Sequence, residues 1–113
     1  MAQVAATIQQ NYQAGGIVSP VGSTVLLTTA SAPAIGANAT RRGIWFGNPN
    51  NDGTIIYVCP ANIAAVVGQG IPIFPGGLVQ FNGDPSSNIN FTSGWNAIAS
   101  AGPNKPLAVL EFI

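Results

Sequence analysis

The 113-residue sequence contains no histidine, one cysteine and only six charged side chains. Each shortage removes a class of function. Without histidine, neither Ser-His-Asp nor Cys-His nucleophilic catalysis can be assembled. One cysteine with no histidine excludes the usual zinc sites. Cys59 cannot close a disulfide within its own chain and has only intermolecular pairing open to it. Arg41, Arg42 and Lys105 are too few for a nucleic-acid surface, which must neutralise several phosphates at once. The acids Asp52, Asp84 and Glu111 stand isolated in the sequence, so the inventory points away from an enzyme and calls for no cofactor and no metal. No uninterrupted apolar run reaches the 18 residues of a transmembrane helix. The N-terminus lacks the basic and continuous apolar regions of a signal peptide. No membrane contact is expected.

The scarcity of charge is also a positive signal. Soluble domains usually carry about 25% charged residues, and here the figure is 5% at a net charge of zero. Charge of one sign keeps proteins apart in solution, so this surface does little to resist association. The chain is expected to live inside an assembly, as a homo-oligomer.

The length suits one domain, able to bury roughly two-thirds of the surface of its unfolded form. Residues 1–16 form an N-terminal arm, extended or a short helix. They are rich in Ala and Gln, without proline or charge. Val4, Ile8 and Tyr12 recur at i, i+4, i+8 as one narrow helical stripe, and the segment is too short to be a stable helix alone. Gly15-Gly16 punctuates it. Residues 17–113 read as a single all-β domain of about seven to nine short strands, an antiparallel β-sandwich or jelly roll. Strands are expected at 24–29, 42–47, 54–59, 70–74, 78–81, 95–100 and 107–112, with a shorter one at 89–91. Residues 31–40 and 60–68 read as small-residue connections, the latter with a helical turn near Ile63. The run from Asn48 to Gly53 is the strongest turn signal and implies a hairpin. Pro72 marks its strand as an edge.

In the strand at 42–47, Ile44 and Phe46 share one face, and Trp45 lies on the other between Gly43 and Gly47. Trp45 is therefore a candidate interface anchor, since aromatics are enriched at interfaces. Arg41-Arg42 reads as a solvated strand end. Cys59 reads as a small buried hydrophobe. Asp52 and Asp84 are explained by turn chemistry. The Asn-rich loops match no calcium spacing, and the sequons at Asn38 and Asn90 are chance matches.

A further signal lies in the order of features from Arg41 onward. Arg42-x-Ile44-x-Phe46-x-Asn48-Pro49 precedes Ile56-Tyr57-Val58, then Gly70-Ile71-Pro72-Ile73-x-Pro75-Gly76 and an aromatic Phe81. Trp95-x-Ala97-Ile98-Ala99-Ser100-Ala101-Gly102 and a terminal Val109-Leu110-Glu111 follow. Over about two-thirds of the chain, this order resembles small β-sandwich proteins of tailed bacteriophages that decorate or cement the head, or sit at the base of head fibres. The resemblance implies a virion structural protein without catalysis, a homotrimer bound outside the capsid at subunit junctions, with the major capsid protein as partner. It carries over no catalytic or ligand residue. Val4, Ile8 and Tyr12 of the arm, with Trp45, are the candidate intersubunit or capsid contacts. The alternative is a glycan- or receptor-binding module of a fibre, for which Trp95 and Asn96 would supply the sugar platform.

Overall fold

A computed structural model of the protein describes residues 20–82 and 92–113. The described residues form eight strands and no helix: β1 (Pro20–Leu27), β2 (Ala32–Ile35), β3 (Gly43–Gly47), β4 (Ile56–Pro60), β5 (Ile71–Ile73), β6 (Leu78–Asn82), β7 (Trp95–Ala99) and β8 (Lys105–Phe112). They make two four-stranded antiparallel sheets. Sheet one runs β1-β8-β3-β6 and sheet two runs β2-β7-β4-β5. Each strand pairs with the one counted from the other end of the series: β1 with β8, β2 with β7, β3 with β6, β4 with β5. A chain folded over once at the β4–β5 connection and then rolled into two sheets is a jelly roll.

Alternation builds the core. From sheet one, Leu27, Ile44, Phe46, Leu107 and Val109 point inward; from sheet two, Ile56, Val58, Ile73, Trp95, Ala97 and Ala99 do. Trp95 spans the gap between the sheets. Its ring stacks on Phe81 at 4.8 Å between centroids and meets Phe46 at 5.5 Å. Such pairs add about 0.5–1.5 kcal/mol each beyond their burial. Among the described residues the buried Trp95 indole N–H has no acceptor, a local cost accepted for the ring's volume.

Several expectations need correction. The turn at Asn48–Gly53 joins β3 to β4, which lie in different sheets, so it is a corner and not a hairpin. Pro75-Gly76-Gly77, between β5 and β6, likewise carries the chain from one sheet to the other. Among the described strands only β4 and β5 are both consecutive and paired. A turn signal reports a chain reversal, not the sheet that receives the next strand, and facing sheets lie about 10 Å apart. β2 falls inside the stretch expected to be a connection. Its ladder to β7 is irregular between Pro33 and Ile35, as a proline-bearing edge strand should be. Residues 61–70 hold turns and bends without a helix. Pro72 does sit on an edge strand. The arm and the strand expected at 89–91 lie outside the described residues.

Buried polar networks lock both ends of the sandwich. At one end Arg41, expected to be solvated, is 2% exposed. Its Nε donates to Glu111 Oε2 at 2.7 Å, and its other nitrogens donate to the carbonyls of Ser93 and Gly36. Asn38 Nδ2 donates to the same carboxylate oxygen. Glu111 shares the inward row of Leu107 and Val109 on β8, and a carboxylate buried there requires a cation. Arg42 is exposed, as expected. At the other end Asn48 Nδ2 donates to the carbonyls of Thr54 and Ile73, while its Oδ1 accepts from the Asn50 backbone and side chain. Asn50 reaches on to the Pro106 carbonyl.

Candidate functional site

β3 is apolar on both of its rows, and so is β8 apart from Lys105 and Glu111 on its inward row. Inward rows feed the core. The outward rows place Pro106, Ala108, Leu110 and Phe112 beside Trp45 and its flanking glycines. The edge strands add Thr24 and Leu26 from β1 and Leu78 and Gln80 from β6. Among the described residues, no charged side chain belongs to the strand rows of this outer face of sheet one. Arg41 and Glu111 are turned inward and paired with each other, while Lys105 and Asp52 pair at the far end of β8. Leu26 is 60% exposed and Leu78 50%.

The face is not flat. Gly22, Gly47 and Ala108 leave its floor low, and Trp45, Leu78 and Leu110 rise around it, enclosing a groove of about 530 Å³. Trp45 is half-buried and leans on Phe112, with ring centroids 5.3 Å apart. A methyl group added at Gly47 would meet Ala108 and Leu78 at 3.8 Å, an ordinary contact. Glycine there is thus not required by backbone crowding, and its absent side chain opens the groove. An open apolar concavity on a sheet face whose described residues carry no charge is a surface suited to another protein surface.

β1 extends this surface to the sheet's edge. Among the described residues it pairs only with β8, and no described strand lines its other side. Pro20 to Thr24 are exposed throughout, including Val21, whose row faces the core side. Its last seven residues contain neither proline nor charge. The edges of sheet two differ: β5 has three residues and Pro72, and β2 has four and Pro33.

The remaining expected residues fall elsewhere. Val4, Ile8 and Tyr12 lie outside the described residues, as does Asp84. Trp95, the sugar platform of the alternative, is a core residue at 2% exposure. Asn96 is committed to the Ile63 carbonyl. Cys59 is buried, and that burial pushes its thiol above the ordinary value. Asp52 accepts from the Thr54 backbone in an Asx-type turn. The Lys105 ammonium, then the Thr54 hydroxyl and backbone, hold its carboxyl well below the usual carboxylate range. Among the described residues no three His, Cys, Asp or Glu side chains gather as a metal site. No protein-family model, curated protein or solved structure matches the chain.

Sequence reasoning found Trp45 but not the groove around it. The signal was present in Pro106-Leu107-Ala108-Val109-Leu110-Glu111-Phe112, where both rows are apolar apart from Glu111. A strand apolar on both rows is one meant to be covered on both sides.

Proposed function

We propose that the protein is a virion structural protein that decorates or cements a bacteriophage capsid. It binds as a homotrimer at junctions of the major capsid protein on the outer surface and performs no catalysis. The carrying observation is a nearly uncharged exterior bearing exposed large apolar side chains on opposite sides. Leu26 and Leu78 lie on sheet one, and Ile63, Val66 and Val67 on the β4–β5 connection. Monomeric proteins rarely leave such surfaces bare. The jelly roll supports the same reading, since it recurs in viral capsid and lectin domains. The histidine-free sequence favours a binding role over a reaction. Cement action needs only binding: occupying many junctions of the closed shell stabilises it by mass action.

The test is co-sedimentation of the purified chain with emptied heads of the phage whose genome encodes it. Saturable binding and heads that survive higher temperature are expected. Absence of binding at micromolar chain would overturn the reading. A glycan array run in parallel should show no sugar preference.

A further inference from the structure

The two sheets treat their outer faces differently. Sheet two's outer row, with Tyr57, Cys59 and Ile98, is roofed by the chain's own 61–70 connection through Ala65. Sheet one's outer row, the free edge of β1 and the exposed half of that strand receive no such cover from the described residues. Residues 1–19 run directly into β1 at Pro20, the corner of this uncovered region.

The sequence of that segment fits the need. Even positions 2–14 read Ala, Val, Ala, Ile, Gln, Tyr, Ala, and odd positions 3–13 read Gln, Ala, Thr, Gln, Asn, Gln. Apart from Gln10 and Ala5, apolar and polar rows thus alternate with the period of a half-buried strand. The spacing of Val4, Ile8 and Tyr12 is as compatible with this period as with a helical one. Fully extended, these 13 residues reach about 43 Å, more than the roughly 27 Å of β1. The segment carries no charge, and neither does the surface.

We propose that residues 2–14 of a second copy of this chain add as an extended strand along the free edge of β1. This brings the neighbouring copy over the groove of Trp45, Leu78 and Leu110. The proposal rests on the reading that the chain works as an assembly, and names the surface that receives the arm. Two observations favour a neighbour's arm over the chain's own. A strand folded back onto β1 covers the edge and leaves the outer face bare, whereas an exchanged arm carries a protein surface with it. Moreover, the face alone spans roughly 20 by 20 Å, about 400 Å², against the ~800 Å² per partner of a stable interface. An exchanged strand supplies the missing area, and arm exchange between identical copies closes naturally into a ring. A long, uncharged edge such as β1 is otherwise a hazard that natural sheets avoid.

The test measures mass by light scattering and amide hydrogen exchange on the full chain at several concentrations. Two full-length variants accompany it: Ile8→Asp in the arm and Ala108→Arg at the exposed centre of the face. A mass of three chains is expected, with amides of 2–14 and β1 slowed roughly tenfold or more. Dilution to monomer should remove that protection, and both variants should be monomeric at concentrations where the parent is not. A monomer at every concentration overturns the proposal. So does an oligomer whose 2–14 amides exchange freely, or protection of 2–14 that persists in the monomer, which would mark a fold-back. Head binding separates the two readings. Protected oligomers that fail to bind heads keep this inference and remove the cement function; monomers that bind heads do the reverse.

Discussion

The outer faces of the two sheets carry the same chemistry under opposite conditions. Both are apolar. On sheet two, Ile98 and Cys59 lie beneath the 61–70 connection, fixed by hydrogen bonds from Asn96 to the Ile63 carbonyl and from the Ala65 backbone to Ser31. On sheet one, Ala108 and Leu26 meet no such roof among the described residues and stand exposed. A sheet needs both faces covered only if both are apolar, and a chain that roofs one face has shown what the other lacks. The comparison thus separates residues that hold the fold from residues available for assembly, although the two sets look alike in the sequence.

The sharpest way to break this comparison is to place one charge on each face. Ile98→Asp buries a carboxylate beneath the roof with no cation at hand. We expect loss of about 4 kcal/mol or more, enough to unfold a marginal domain. Thermal melting checks it, and a cooperative melt near the parent's would show that the roof is not closed. Next in size is the buried ion pair at the end of the sandwich. Glu111→Ala leaves the Arg41 guanidinium uncompensated in the interior and should cost about 3–5 kcal/mol in urea unfolding. Smaller is Asn96→Ala, which removes the tie to Ile63. It should cost about 0.5–1.5 kcal/mol and raise exchange in residues 61–70 more than in the core strands.

At the bottom of the scale lies Ala108→Arg, a charge on the uncovered face. Exposed substitutions away from special features stay within about 0.5 kcal/mol, so the monomer's stability should be unchanged while its association is lost. A comparably small effect is expected from acid. Asp52 has its carboxyl depressed by Lys105 and Thr54. Its stabilising contribution is therefore present above the ordinary carboxylate value of 3.8 and is lost as pH falls below it toward the lower folded value. Asp52→Asn should flatten that part of the stability profile, and an unchanged profile would remove the pair from the account.

Much of the fold was legible because alternation and turn residues are local signals. Ile44 and Phe46 inward with Trp45 opposite, and Pro72 on an edge, followed from the pleat and from the missing proline N–H. The corners were not legible. Asn48 to Gly53 announces a reversal, yet the polar network that turns it between sheets depends on the carbonyls of Ile73 and Pro106, distant in sequence. Arg41 was misassigned for the same kind of reason. Its partner Glu111 lies 70 positions away, and only the inward row of β8 hinted that a cation was needed. As for the site, Trp45 was visible as an outward aromatic, but a groove is a property of three neighbouring strands. β3 gained its neighbours β8 and β6 only through the rolled topology.

The most direct test of the central claim, that the uncharged outer face of sheet one is an assembly surface, is a paired light-scattering measurement of the parent chain and Ala108→Arg at the same concentration. The parent should have the mass of several 11.5 kDa chains and the variant that of one, with superimposable melting of the two when both are diluted to monomer. Equal masses for the two proteins would contradict it.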